Sequence, residues 1–488
     1  MLQFIDVSFS YDSSPDILFD SLNFHFSTGW TGIVAANGAG KTTILQLAAG
    51  ILQPHSGFVK AGGTVGYIPQ RTDFAPTAMP ELFNLDVAGS NLFQLRGILA
   101  IDSDWQFRWD TLSHGERKRI QVACALMSSP DVLLVDEPTN HLDVETAALV
   151  KQALQRFVGT GLLVSHDRSL LDDLCCRIMF LHSGNALVIP GNYTAAAAQE
   201  KISADTLRDQ RQRIKNKVRS LEAESKRRRQ EAQRSEGRVS KKRLHKNDSD
   251  GRAKINLAKL TSKDAVAGNL AASFGARVER AQHELAGVKV EKKYDLAFNL
   301  VGEKCQKDLL VRVKACQFEL GPQRCINLPE FALYPDDRVG ITGANGSGKS
   351  TFLRHIISSL DIPQDRLIYL PQEISVLEGA AIIREFQNLP ARTLGEVCSY
   401  VSCLGSDPEG LLNTTMPSPG ELRKLHFAIG LTRRPWLVIM DEPTNHLDLQ
   451  ATELLENALA QIESALILVS HDLQFIERLT TRRLHFPA

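Results

Sequence analysis

The octapeptide Asp-Glu-Pro-Thr-Asn-His-Leu-Asp occurs twice in this chain, at Asp136–Asp143 and at Asp441–Asp448, 305 positions apart. Each copy follows a short branched-aliphatic run, Val132–Val135 and Leu437–Met440, of the kind expected of a parallel strand buried on both faces. A strand ending in Asp-Glu delivers two carboxylates to the carboxyl edge of a sheet, where open α/β folds bind ligands. An identical octapeptide at this distance implies duplication. The chain is therefore expected to contain two copies of one α/β unit, with other elements repeating at nearly the same offset.

They do repeat. Ala35-Ala36-Asn37-Gly38-Ala39-Gly40-Lys41-Thr42-Thr43 has its counterpart in Gly343-Ala344-Asn345-Gly346-Ser347-Gly348-Lys349-Ser350-Thr351, with the two lysines 308 positions apart. The second is a complete P-loop, and the first has Ala35 where the pattern opens with Gly. Glycines let such a loop wrap its backbone N–H groups around a phosphate, and the helix that follows adds its positive end. Lys41 and Lys349 would reach the β/γ-oxygens, and the Thr42 and Ser350 hydroxyls would hold Mg²⁺. Between the P-loops and the acids, Tyr67-Ile68-Pro69-Gln70 and Tyr369-Leu370-Pro371-Gln372 each end a strand-like run in Gln, a residue suited to a metal or an attacking water. Ser113-His114-Gly115-Glu116 and Ser418-Pro419-Gly420-Glu421 read as capping boxes at helix starts. Downstream of each acid strand another apolar run ends in Ser165-His166-Asp167 or Ser470-His471-Asp472, which would place a His near a γ-phosphate.

This order of motifs, present twice, resembles the ATP-binding cassette ATPases. The Asp-Glu-Pro-Thr-Asn-His-Leu-Asp form resembles their ABC-F subfamily, soluble tandem cassettes that act on ribosomes. The resemblance covers essentially the whole chain. It implies an α/β fold of two ABC-type P-loop ATPase domains joined by a basic antiparallel helical hairpin, with boundaries near 1–195, 196–300 and 301–488. It also implies a head-to-tail pair with two ATPs between the halves, each P-loop facing the other cassette's Ser-x-Gly-Glu start. The nucleotides would be held by Tyr11, Asn37, Gly38, Gly40, Lys41, Thr42, Thr43, Ser113, Gly115 and Glu116. In the second half Gly343, Asn345, Gly346, Gly348, Lys349, Ser350, Thr351, Ser418, Gly420 and Glu421 would do the same. Asp136 and Asp441, with Thr42, Ser350, Gln70 and Gln372, would act on Mg²⁺. Glu137 and Glu442 would polarise the attacking water, and His166 and His471 would contact the γ-phosphate.

The halves differ in two places. Pro419 removes a backbone N–H from the second helix start, although proline suits the first helical position. Tyr11 would stack on adenine in the first cassette, where the second offers Leu320. Unequal sites are expected.

Charge sets the middle of the chain apart. Residues 201–263 hold 21 Lys and Arg against 8 Asp and Glu, so the zero net charge of the whole chain conceals a basic segment on an acidic body. Such a segment points at a polyanion. Leu207, Ile214, Val218 and Leu221, and then Phe274, Val278, Ala281, Leu285 and Val288, follow coiled-coil spacing. These runs predict two helices around a polar middle, near Ser240–Asn269, with Lys254, Asn256 and Lys259 as tip candidates. In ABC-F proteins this linker enters the ribosome and approaches the P-site tRNA and the peptidyl-transferase centre. The expected partners are therefore 23S rRNA and P-site tRNA, bound through phosphates and so sensitive to salt. Only 43 residues separate Gln70 from Ser113, which leaves little room for the extra arm that some family members carry. Its lack is more usual in members that protect ribosomes from antibiotics.

No apolar run reaches membrane-spanning length, the N-terminus lacks a basic leader, and the eight cysteines show no metal-like spacing. These features point to a monomeric cytoplasmic protein with buried thiols and no membrane or DNA partner. The cassette motifs alone would also suit the energising subunit of a membrane transporter or a DNA-associated ATPase. The basic hairpin argues against the first, and the lack of zinc modules or very long coiled coils against the second.

Overall fold

In a computed structural model both acid-ending runs are strands, Val132–Asp136 and Leu437–Asp441, with every residue buried. The structure describes residues 1–12, 17–84, 90–182, 185–239, 263–287, 302–319, 325–414, 417–445 and 447–486. Leu320, His446 and residues 240–262 of the expected polar middle, with Lys254, Asn256 and Lys259, lie outside these, as does Val288, whereas 263–269 of that middle already belong to a helix, Lys263–Gly287.

The first half contains a six-stranded sheet in the order Val65–Ile68, Val132–Asp136, Thr160–Val164, Gly29–Ala35, Cys175–His182, Asn185–Pro190. Its pairs are parallel except the last. The second half repeats the first five places, all parallel: Leu367–Leu370, Leu437–Asp441, Ala465–Val469, Arg338–Gly343, Arg482–Phe486. This order brings together what the sequence separates. The acid strand, the strand before Ser-His-Asp and the P-loop strand are neighbours, so their carboxyl ends lie side by side on one sheet edge.

An antiparallel sheet of Phe19–Phe26, Leu2–Phe9 and Ser56–Ala61 covers the first P-loop helix, Lys41–Ala48, through Phe4, Phe19, Ile44 and Leu45. In the second half this layer consists of two short pairs, Val311–Val313 with Phe331–Leu333 and Cys316–Glu319 with Cys325–Leu328. The thiols differ from expectation. Cys124, Cys175, Cys305 and Cys403 are buried, but Cys176 and Cys325 are exposed, near the ends of strands rather than in their buried middles.

Two compact units result, Met1–Ala196 with Tyr294–Ala488, and Ala197–Lys293. The helix Tyr193–Val239 runs 47 residues, about 70 Å at 1.5 Å per residue. Within the second unit Ile214 and Val218 pack on Ala281, flanked by Leu221 and Leu285. Lys217 pairs with Glu284, and Gln282 donates to Glu222, so the helix Lys263–Gly287 runs antiparallel to the first. The seam begins at Ile214. Leu207, predicted to belong to it, is 45% exposed. No helix of the described residues is long and apolar enough to cross a membrane.

Candidate active sites

Each P-loop ends in a glycine that only glycine can supply. Gly40 and Gly348 sit at the N-caps of Lys41–Ala48 and Lys349–Ser358 with φ of 92° and 102°. A Cβ there would come within 2.5 Å of the Phe19 ring or 2.8 Å of Ile326. Gly38 and Gly346 are also left-handed, at φ 80° and 77°. The lysines fold back over the loop they follow. Lys41 Nζ donates to the Ala35 and Ala36 carbonyls at 2.9 and 3.2 Å, and Lys349 Nζ to those of Gly343 and Ala344 at 2.7 and 2.9 Å. Burial lowers both ammonium pKa values, while the neighbouring acids Glu137 and Glu442 raise them. In both copies, then, a compact cation is held by the carbonyls at the start of the glycine-rich loop. The Tyr11 hydroxyl bonds Thr43 Oγ at 2.8 Å, which sets this ring against the first loop.

The acids meet the loops on the same edge. Ser350 Oγ donates to Asp441 Oδ2 at 2.8 Å. Its counterpart Asp136 lies beside Thr42 with both carboxylate oxygens buried and no hydrogen bond that meets ordinary geometry. Burial pushes Asp136 up to about 6, with the Thr42 hydroxyl acting against the rise. Buried carboxylate oxygens beside a hydroxyl form a hard oxygen donor set, which fits Mg²⁺. Gln70 and Gln372 have exposed side chains at the ends of their strands.

Glu137 and Glu442 take left-handed backbone, φ 46° and 50°, rare for a residue with a Cβ. Such strain persists where surrounding structure imposes it and gathers at functional sites. Here the imposing bonds run from their N–H groups to Val164 and Val469 O, both at 2.9 Å. Each carboxylate meets the loop that follows the neighbouring strand, Thr160–Val164 or Ala465–Val469. The His166 and His471 N–H groups donate to it at 3.2 and 3.3 Å, and each ring Nε2 lies 3.3 Å from the second oxygen. Burial, then the Lys349 charge, brings His471 down to about 4, so its ring is neutral. Burial pushes Glu442 up to about 8, against the pull of Lys349.

The helices His114–Met127 and Pro419–Thr432 begin as predicted. The Glu116 and Glu421 N–H groups donate to Ser113 Oγ and Ser418 Oγ at 3.3 Å, and the Ser N–H groups donate back to the Glu carboxylates at 2.7 and 2.8 Å. Pro419 occupies the first helical turn. Gly115 packs against Leu142 and Thr146, so the helix start adjoins the end of the octapeptide.

Contacts between the halves are reciprocal. The Asn37 N–H donates to Asp448 at 3.1 Å and the Asn345 N–H to Asp143 at 3.3 Å. Asn345 Oδ1 also lies 3.0 Å from His471 Nε2, and Asn345 Nδ2 donates to the His141 carbonyl at 3.1 Å. Each P-loop thus touches the last aspartate of the other half's octapeptide. Both aspartates already cap a helix, Asp143 accepting from Thr146 N–H and Asp448 from Ala451 N–H. In sequence these aspartates are only the last residues of the repeat, and nothing local gives them a role across the halves.

Lys118 and Arg423 were missed altogether. They are 0% and 5% exposed and bind the carbonyls of the Gln70 and Gln372 segments. A signal was present, since a cation five residues after the capping Ser recurs at the common offset of 305. In sequence it stands among the neighbouring cations Arg117, Arg119 and Lys424, and nothing local marks it out.

A family model described as ABC transporter matches residues 19–140 and 326–445. The ribosome protection protein VmlR of Bacillus subtilis (strain 168) is 27% identical over 97% of this chain and 85% of its own length. The energy-dependent translational throttle protein EttA of Escherichia coli (strain K12) is 27% identical over 96% of this chain and 88% of its own. Among solved structures, the archaeal ribosome recycling factor aABCE1, in complex with the ribosomal stalk protein aP1, superposes with a TM-score of 0.61. It is 18% identical and covers 98% of this chain and 87% of that one. At that identity the likeness speaks for the fold alone.

Proposed function

We propose that this chain, an ATP hydrolase built on two ABC-type cassettes and similar to the ABC-F proteins, uses ATP-driven closure of the cassettes to act on the ribosome. The observation that carries the reading is the reciprocal pairing of Asn37 with Asp448 and Asn345 with Asp143, through which each P-loop reads the other half. The relatives VmlR and EttA, named for ribosome protection and translational throttling, support the ribosome as partner. The basic segment 201–263, with 21 Lys and Arg, supplies a polyanion-binding element. In this reading the linker approaches the P-site tRNA and the peptidyl-transferase centre, and the protein protects or resets stalled or antibiotic-blocked ribosomes in the cytoplasm. The domains would be 1–195, 196–300 and 301–488.

In each site the P-loop N–H groups and Lys41 or Lys349 bind the phosphates, and Tyr11 supports adenine in the first. Thr42 with Asp136, and Ser350 with Asp441, would hold Mg²⁺, joined by Gln70 and Gln372. When bound, the ion neutralises charge developing on the phosphates. Glu137 and Glu442 orient and deprotonate the attacking water. The neutral His166 and His471 rings can donate to a γ-phosphate oxygen from the edge they share with the glutamates. The Ser113 and Ser418 helix starts complete the opposite walls. ATP stabilises the closed pair because only there do both walls reach it, and its loss biases the hinge open.

The test uses the Glu137→Gln/Glu442→Gln protein, sedimented with ribosomes through sucrose. Co-migration with ATP but not ADP, weakened by salt and by deletion of 240–262, is expected. Migration at the top of the gradient in both nucleotides would sink the ribosome reading. Because Pro419 lies in the wall facing the first P-loop, and Tyr11 serves the first site alone, the single variants should differ. Glu137→Gln and Glu442→Gln are expected to leave turnover rates at least 3-fold apart, and equal rates would count against unequal sites.

A further inference from the structure

The loop that carries each Gln is held from behind by its own cassette's Ser-x-Gly-Glu helix, and the two halves do this with different chemistry. In the first, Lys118 Nζ donates to the Pro69 and Gln70 carbonyls at 2.8 and 3.0 Å. Gln121 Nε2, one turn on, donates to Arg71 O at 2.9 Å, and Arg117 reaches Thr72 O at 3.5 Å. Three side chains of one helix thus take four consecutive carbonyls. Among the described residues of the second half, Arg423 is the side chain of the corresponding helix that does so. One guanidinium nitrogen takes the Pro371 and Gln372 carbonyls, and the other takes Glu442 O at 2.9 Å and Asn445 O at 3.3 Å. The positions equivalent to Arg117 and Gln121 hold Leu422 and His426, and His426 Nδ1 is buried without a partner.

We propose that Lys118 and Arg423 are positioning residues that couple the helix start bearing Ser113 or Ser418 to Gln70 or Gln372. Arg423 also couples it to the backbone of Glu442. The buried Lys118 and Arg423 cations, 0% and 5% exposed, must keep their acceptors, so a shift of the helix carries the loop with it. Contact made by one nucleotide with Ser113 would in this way be felt at Gln70, which serves the other nucleotide. The planar fork of Arg423 spans two loops because its donors point in fixed, divergent directions. The Lys118 ammonium serves one loop, and the Glu137 carbonyl accepts from the Asn140 N–H at 3.5 Å instead. The second half therefore moves its Gln and its Glu together, and the first does not.

The inference deepens the ATPase reading and rests on it, and its test separates the two. In a Glu442→Gln background, where turnover reports the Glu137 site, Lys118→Met is expected to lower kcat at least 10-fold. Binding of a fluorescent ATP analogue should stay within 3-fold. Lys118→Arg should restore at least half of kcat. In a Glu137→Gln background, Arg423→Lys should keep analogue binding but lose at least 5-fold in kcat, because a lysine cannot reach both loops. Hydrogen exchange at the amides of residues 70–73 reads the tether without turnover, and Lys118→Met should speed it at least 10-fold. Unchanged exchange, a kcat within 2-fold of the parent, or equal loss of kcat and analogue binding would overturn the proposal. An inactive parent that still binds ATP would count against the ATPase reading instead, with exchange still deciding the tether.

Discussion

Replacing both Glu137 and Glu442 by Gln is expected to slow ATP turnover by about 10²- to 10⁴-fold, the usual contribution of a positioned general base, while ATP binding stays within a few-fold. Gln keeps the length and one acceptor oxygen, so the His166 and His471 N–H groups retain a partner. The left-handed backbone at φ 46° and 50° is set by bonds from the main chain and does not depend on the charge. What disappears is the basic oxygen. In the wild-type chain Glu137 Oε1 and Glu442 Oε1 are buried and face the His166 and His471 rings, with Nε2 at 3.3 Å. Steady-state phosphate release with separately measured nucleotide binding gives the answer. Turnover within 10-fold of wild type would remove both glutamates from the role of base.

Glu456→Leu is expected to cost about 3 kcal/mol, the scale for breaking a buried ion pair from one side. Glu456 is 0% exposed and accepts from Arg168 of the first cassette at 2.7 Å and from Arg478 of its own at 2.5 Å. Arg168 is the residue after His166-Asp167, and its side chain is 12% exposed, so it cannot turn to water when its partner goes. Arg478 is half exposed and can. Adding Arg168→Leu should therefore recover much of the loss, because a matched apolar pair costs little where a lone buried charge costs much. Urea unfolding of the single and double variants measures this coupling. Additive losses would show that the two side chains act independently. The same helix also receives the Tyr193 hydroxyl on Glu453 at 3.2 Å.

The comparison of halves explains why this bridge could not be read from the sequence. At the common offset Arg168 corresponds to Leu473, Glu456 to Lys151 and Arg478 to Asp173. Lys151 and Asp173 do pair, within the first cassette and with their signs exchanged. Each looks in sequence like an ordinary surface charge, and only the packing of one half on the other gives Glu456 a partner across the interface.

Other features were legible because local chemistry allows a single outcome. A Gly-rich loop before a helix, a Ser three residues ahead of a Glu, and an apolar run ending in Asp-Glu each carry their own geometry. The structure reproduces all of these in both copies. The linker was legible in part. Its seam residues Ile214, Val218 and Ala281 are buried together, whereas Leu207 is exposed because spacing alone does not say where a partner helix ends.

By itself, then, the sequence determined the two α/β units, the glycine-rich loops, the acids at the sheet edge and the basic insertion. These depend on short-range backbone and side-chain preferences and on an exact internal repeat. The tertiary structure decided how the copies differ in use: Lys118 holds one loop where Arg423 holds two, and Arg168 reaches Glu456 where Leu473 reaches no acid. Those differences come from long side chains bonding to backbone or acids tens to hundreds of residues away. Burial turns them from solvated charges into fixed ties, and no local pattern records which distant group will be there.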